Sequence, residues 1–471
     1  MTNFTLPPLA DWPRHRVAIN PLATAIDDGS RTLTYGDLLV LTDALSHALA
    51  QAGYRRGDRI ATLTRNRAEH LVLLFACAAQ GIALVPLSWR LSDAELRTQL
   101  AIADPASLLA SPELLARATT LFGVTGPLAY PPAATNTTPD DGSGLLIVFT
   151  SGTEATPKAA VLTAENCRAG NQALQGALNF TSDDVVLGVL PQYHAAGWNT
   201  QPLLALATGA TLIIEPRFDP ALALQLIDEC GVTSIMGVPS LWRALASEPH
   251  FETTDLSRLR NAVVGGAPTP ARLLETWHNR GVDLRQGYGL TEAGPNVLCQ
   301  TPDDARSGIG ASGRPYPLVH TALDDRGELL VKGPAVFAGY FRDPDATAAA
   351  FRDGWLRSGD LATLDSDGQY RIVDRAKDIF ISGGENVAPA EIEAVLGGHP
   401  AVTEAAVVGV ADELWGEVGV AFVVADGVTA DELRAYCAER LAAFKVPVRI
   451  EFVAELPHSG IDKIVRRRLA P

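Results

Sequence analysis

Along the first 370 residues, apolar stretches of helical spacing end at a glycine and give way to short β-branched runs. Residues 202–208 stop at Gly209 before a run over 210–215, and residues 221–230 stop at Gly231 before a run over 232–238. Glycine accepts the left-handed geometry that ends a helix, and regular alternation of helix and strand covers both faces of a largely parallel sheet. The pattern predicts an α/β protein of stacked αβ sheets. Its most apolar segment, residues 71–87, is interrupted by Gln80, Gly81 and Pro86, so it reads as buried helix, glycine stop and strand, with no membrane span.

The pattern changes near residue 325. Residues 327–332 and 369–373 read as short strands of a β subdomain, the second entered through the turn Asp365-Ser366-Asp367-Gly368. Beyond Lys377, helical spacing over 389–396 and 430–441 alternates with strand-like runs over 402–410, 418–424 and 450–453. This is a small α+β domain. A boundary within 374–378 divides the chain into a large N-terminal domain, 1–376, and a small C-terminal domain, 377–471. Residues 131–143, rich in Pro, Thr, Asp and Gly, read as a surface loop.

Composition narrows the class. At 471 residues, 47% apolar and 20% charged, the chain has the makings of a large globular core. A formal charge of −16 argues against nucleic acid or an anionic membrane as partner. Five cysteines (Cys77, Cys167, Cys230, Cys299, Cys437) lie more than sixty residues apart, which suits neither a disulfide framework nor a CxxC metal site and points to a reducing cytoplasm. Residues 1–16 lack the apolar core of a signal peptide. Only five of the 38 basic residues are lysines: Lys158, Lys332, Lys377, Lys445 and Lys463. Where arginine serves for most positive charges, a retained lysine is a candidate for work that needs a compact point charge.

Four runs carry candidate chemistry. After an apolar strand, Thr150-Ser151-Gly152-Thr153 leads to Lys158; hydroxyls, backbone N–H groups and an ammonium can cradle phosphate oxygens, although the Walker spacing is absent. Gly265-Gly266-Ala267-Pro268 offers a bare backbone to a planar ring. Gly287-Tyr288-Gly289 exposes an aromatic face at a tight turn, followed by Thr291 and Glu292, a hard oxygen ligand of the kind magnesium takes. Asp360, on the turn Ser358-Gly359-Asp360, suits a ribose diol. Each has a plain structural reading, as a surface turn or a packed strand end. Their order and spacing together are far more specific.

With Leu190-Pro191-Gln192-Tyr193-His194, Ser382-Gly383-Gly384-Glu385-Asn386 and the Lys463 run, the chain resembles, over residues 15 to 469, the adenylate-forming superfamily of acyl-CoA synthetases, peptide-synthetase adenylation domains and luciferases. The resemblance implies an AMP-forming acid–CoA ligase. ATP and a carboxylate give an acyl-adenylate and pyrophosphate, and coenzyme A then displaces AMP. By the same resemblance Thr150, Ser151, Gly152, Thr153 and Lys158 form the triphosphate loop, and Gly265, Gly266, Ala267, Pro268, Gly287, Tyr288 and Gly289 the adenine slot. Thr291 contacts phosphate, Glu292 holds Mg2+, and Asp360 with Arg375 clamps the ribose. Lys463 is the adenylation lysine, Lys377 the hinge, and His194 the gate between acyl pocket and thiol channel. Trp198, Asn199, Val238, Gly289 and Gly294 are expected in the acyl pocket, with Gly383 and Gly384 on the coenzyme A channel.

The chain departs from the family pattern at Glu154, Ala155, Ala159 and Asp462. Pro471 lies shortly after the last motif, so no fused carrier domain is expected; a free carrier protein or an amine is the alternative acceptor, and a non-catalytic nucleotide binder the remote one. Residues 195–199 contain neither an acid to hold an amino group nor an arginine to hold a second carboxylate, so a neutral aromatic or medium-chain aliphatic acid is expected unless Arg243 faces inward. The oligomeric expectation is a monomer or homodimer.

Overall fold

The computed structural model describes residues 5–135, 137–150, 157–383, 385–412, 414–458 and 464–469. Four sheets organise these residues. A nine-stranded sheet runs in the order Arg314–Pro315, Leu298–Cys299, Arg285–Tyr288, Asn261–Val264, Ser234–Gly237, Val185–Gly188, Thr211–Ile214, Thr24–Asp27, Thr32–Thr34, parallel from Arg285–Tyr288 through Thr24–Asp27. A seven-stranded sheet runs Gly339–Tyr340, Lys158–Thr163, Gly144–Thr150, Ala83–Leu87, Arg59–Leu63, Ser107–Ala110, Thr125–Pro127.

The glycine-stop pattern sets these layers. The helix Ala68–Gln80 ends at Gly81 with φ +67°, and the buried strand Ala83–Leu87 follows directly. The helix Pro202–Thr208 ends at Gly209 with φ +92° before Thr211–Ile214. Antiparallel pairs depart from the parallel expectation at both edges of the nine-stranded sheet and again in the second sheet. Gly144–Thr150 and Lys158–Thr163 form an antiparallel hairpin, and Gly339–Tyr340 extends it on the far edge, so the second sheet is mixed.

A five-stranded antiparallel sheet, containing Glu328–Lys332, Trp355–Leu364 and Tyr370–Arg375, forms the β subdomain. The last sheet begins at Phe380–Ser382 and is built on the hairpin Val402–Asp412 and Gly416–Ala425. The helices Pro389–Gly397 and Ala430–Ala438 cover one face, burying Ile392, Leu396, Leu433 and Cys437 on Phe380, Val407 and Val423. The second helix stops short of the expected 441, its end tightening where Arg440 N turns onto Cys437 O, three residues back, at 3.0 Å. All five cysteines are unbridged. No helix among the described residues is long and apolar enough to cross a membrane.

Candidate active site

The carboxyl ends of parallel strands are where an open α/β sheet leaves a crevice, and Gly265 and Tyr288 stand at two such ends. Gly265 ends the strand Asn261–Val264 and donates its N–H to Gly237 O at 3.1 Å. A Cβ on Gly265 would lie 2.8 Å from Gly287 O on the neighbouring strand, so only glycine permits the approach. Gly266, at φ +83°, and Pro268 are exposed, while Ala267 and Val238 are half-buried beside them. The result is a flat backbone ledge next to Tyr288, the last residue of Arg285–Tyr288.

Tyr288 donates its hydroxyl to Asp360 Oδ2 at 2.5 Å, and Arg375 Nε pairs with Asp360 Oδ1 at 3.0 Å. Asp360 and Arg375 face each other across the antiparallel strands Trp355–Leu364 and Tyr370–Arg375. Burial, and then the adjacent Asp360 carboxylate, raise the Tyr288 pKa well above the ordinary phenol range, so the phenol stays a donor. Sequence positions 72 apart thus become one polar cluster at the edge of the ledge.

A second cluster lies at the hairpin. Thr150 and Lys158 are cross-strand partners, with Thr150 Oγ1 donating to Lys158 O at 3.4 Å. Ser151, Gly152 and Thr153, with Glu154 and Ala155, lie outside the described residues, as do Gly384, Asp462 and Lys463. Thr291 and Glu292 sit in the turn Thr291–Ala293. Glu292 Oε1 accepts the Tyr340 hydroxyl at 2.9 Å, and Lys158 Nζ sits 5.6 Å from the Tyr340 ring centroid. Tyr340 was not singled out from sequence. Its signal, a tyrosine in an aromatic-rich run following Gly339, has no meaning until the strand pairing is known.

The acyl-side residues divide. His194 is half-buried, with its ring 4.7 Å from that of Tyr193. Ala196, Met236, Gly289 and Leu290 also keep partial exposure. Trp198 keeps none; it packs in the main core with the His70 ring edge-on at 4.7 Å. Asn199 is equally buried, its amide engaged by Asn171 Nδ2 at 3.1 Å and directed at Cys167 Sγ. Gly294 is buried with φ +78°, and a Cβ there would meet Ala335 O at 2.5 Å. All three are buried. His70, missed from sequence, bonds Thr62 Oγ1 at 2.9 Å and Gln192 Oε1 at 3.2 Å, bracing the loop that presents His194. Its complete burial lowers its pKa to about 3, so it is neutral.

Where the large and small parts meet, Arg243 leaves the cleft and pairs with Glu404 of the small part at 3.6 Å; His458 reaches the same carboxylate oxygen at 3.6 Å. Arg466 binds Glu393 through two nitrogens, at 3.0 and 2.7 Å, and reaches Asp378 at 2.8 Å and Asp374 at 3.7 Å. Asp374 Oδ2 also accepts the Ala390 N–H at 2.7 Å at the start of the helix Pro389–Gly397. Between them, Lys377 is exposed in a turn. Gly383 donates to Trp415 O at 2.8 Å within the small part.

Two motif-bearing regions of the chain match known families. AMP-binding enzymes match residues 13–341, and their C-terminal domain matches residues 391–463. The chain belongs to the AMP-binding enzyme family. Feruloyl-CoA synthase from Amycolatopsis sp is 40% identical, covering 98% of this chain and 99% of that protein. Indoleacetate–CoA ligase from Aromatoleum aromaticum is 36% identical, covering 97% and 96%. Among solved structures, o-succinylbenzoate CoA synthetase from Bacillus subtilis in complex with its acyl-adenylate intermediate superposes with TM-score 0.90 at 31% identity over 99% of both chains. The same synthetase has been solved with ATP and magnesium ion. This AMP-binding enzyme is an adenylate-forming acid–thiol ligase.

The donor set suits magnesium. Among the described residues no three His, Cys, Asp or Glu side chains converge into a metal cage. Magnesium is commonly held by one or two carboxylates with substrate phosphates and water, and Glu292 is a carboxylate of that kind, sharing Tyr340 as a neighbour with Lys158.

Proposed function

We propose that the enzyme converts a carboxylic acid with a neutral, aromatic tail to its coenzyme A thioester, using ATP and Mg2+ and releasing AMP and pyrophosphate. One observation carries the substrate class: Arg243, the cation that could have held a second carboxylate, is spent on Glu404. The half-buried positions in the segments expected to line the acyl pocket, Ala196, Met236, Val238 and Leu290, are apolar. A buried carboxylate without a cationic partner is costly, so diacids are disfavoured. The feruloyl and indoleacetate relatives support an aromatic acid over a medium-chain aliphatic one.

In this reading the ledge from Gly265 to Pro268 and Tyr288 receive adenine, and Asp360 with Arg375 receives the ribose. Thr150, Ser151, Gly152, Thr153, Lys158 and Thr291 receive phosphates, and Glu292 the metal. Lys463 neutralises charge between the carboxylate and the α-phosphate. Residues 377–471 turn about Lys377 between the two half-reactions, so that Gly383 and Gly384 replace Lys463 at the cleft. Unbridged cysteines fit a reducing cytoplasm. The test is pyrophosphate exchange and thioester formation across benzoates, cinnamates, C4 to C12 acids and dicarboxylates. Cinnamates are expected to lead; a dicarboxylate or amino acid at the top of the ranking overturns the substrate class.

A further inference from the structure

Within the second cluster, Lys158 and Glu292 belong to different sheets. Lys158 begins a strand of the seven-stranded sheet, whereas Glu292 lies in the turn that follows the strand Arg285–Tyr288 of the nine-stranded sheet. Tyr340 touches both: its hydroxyl donates to Glu292 Oε1 at 2.9 Å, and its ring faces Lys158 Nζ at 5.6 Å. An ammonium within about 6 Å of an aromatic ring is attracted to its face, so one rigid side chain holds an anion at its tip and a cation over its ring.

The backbone around Tyr340 is fixed independently of either contact. Gly339 and Tyr340 pair with Val161 and Ala160, and Ala338 and Phe341 donate to Val161 O at 3.0 Å and Ala159 O at 2.8 Å. Tyr340 N donates to Thr347 Oγ1 at 2.9 Å. Gly339 has φ +139°, and a Cβ on it would lie 2.6 Å from Thr347 Cγ2, so the approach requires glycine. On the other side Phe337 N donates to Glu292 O at 2.8 Å, and the Phe337 ring meets the Tyr340 ring edge-on at 4.9 Å. Main chain and side chain of Glu292 are therefore both tied to the strap 337–340, which is itself paired with the Lys158 strand.

We propose that Tyr340 is a positioning residue that sets the Glu292 carboxylate relative to the Lys158 ammonium, and so the spacing between metal and phosphate charge. The proposal rests on Glu292 facing the metal and Lys158 the phosphates. With Oε1 held by the phenol, the other carboxylate oxygen is presented to a cation in a fixed direction. The phenol does not touch the reacting atoms in this account; it acts through Glu292.

The test separates hydroxyl from ring. ATP binding to wild type, Tyr340→Phe and Tyr340→Leu is measured by titration calorimetry with Mg2+ and with EDTA, alongside the Mg2+ concentration for half-maximal pyrophosphate exchange. Tyr340→Phe keeps the ring over Lys158 and loses the bond to Glu292. It should weaken ATP binding about three- to tenfold in Mg2+, raise the half-maximal Mg2+ by a similar factor, and leave binding in EDTA unchanged. Tyr340→Leu should also weaken binding in EDTA. Wild-type affinity and Mg2+ dependence in Tyr340→Phe overturn the proposal. So does an equal loss with and without Mg2+ accompanied by a lower melting temperature, the mark of a merely structural tyrosine. If wild type itself binds ATP equally well with and without Mg2+, the reading of Glu292 fails, and this proposal with it.

Discussion

Gly289 offers the sharpest steric test of the cleft. It follows the strand Arg285–Tyr288, and an ideal Cβ on it would lie 1.5 Å from Pro295 O and 2.5 Å from Pro295 C. Real Cβ atoms essentially never come within 3.0 Å of another heavy atom, so main chain must move by about 1.5 Å. No rotamer relieves this, because both partners are backbone. Tyr288 is locked by its pairing with Leu298 and by the bond from Val297 N to Tyr288 O at 3.1 Å. The segment 289–296, which carries Thr291 and Glu292, is the part left to shift. Misplacement of about 1 Å in a catalytic arrangement costs on the order of 10²-fold in rate, and overpacking costs about 1–3 kcal/mol in stability. Gly289→Ala should therefore lower pyrophosphate exchange about 10²-fold in a protein that still folds by circular dichroism. Gly397→Ala, with nothing within 4 Å of its Cβ, is the control and should be silent. Exchange in Gly289→Ala within threefold of wild type, at an unchanged KM for ATP, would refute the reasoning.

Trp198→Ala should destabilise the protein by about 3–5 kcal/mol in urea denaturation, the range for truncating a buried tryptophan, while the ranking of acids stays the same; a changed ranking would return Trp198 to the pocket wall. Lys377→Pro should leave pyrophosphate exchange near normal and strongly reduce thioester formation, since proline fixes φ at the turn; wild-type thioester formation contradicts the hinge. Glu215 is 2% exposed, and burial pushes its carboxyl up to about 7 from 4.5. The unfolded chain loses this proton at lower pH than the folded one, so stability falls as pH rises from about 4.5 to about 7, by roughly 2–3 kcal/mol. Glu215→Gln should remove that fall, with no gain at pH 4; parallel stability profiles for the two proteins exclude it.

Local signals carried most of the architecture. Gly81 and Gly209 end their helices in left-handed geometry as the pattern implies, and the strand at residues 327–332 appears as Glu328–Lys332. Gly265 and Tyr288 come together because each motif closes a strand, and Arg375 ends its own; Asp360, expected on a glycine turn, instead lies inside the strand Trp355–Leu364, where Gly359 takes φ +74°. What remained illegible depends on pairing between distant segments. Tyr340 acquires its contacts only through an edge strand laid beside Lys158. Arg466 reads as one of a basic run, yet its partners Asp374, Asp378 and Glu393 lie 73 or more positions away. Trp198 and Asn199 sit in a stretch that reads as pocket, but the short helix Ala196–Asn199 turns both side chains into the core. Arg243, open in direction from sequence, is settled by Glu404.

A two-step ligation consumes ATP to AMP. The direct measurement is product stoichiometry in a single reaction containing enzyme, MgATP, a cinnamate such as ferulate, and coenzyme A. One AMP and one pyrophosphate are expected per acyl-CoA formed, with acyl-adenylate accumulating when coenzyme A is left out. Formation of ADP and phosphate, or AMP released at the same rate without any thioester, would contradict it.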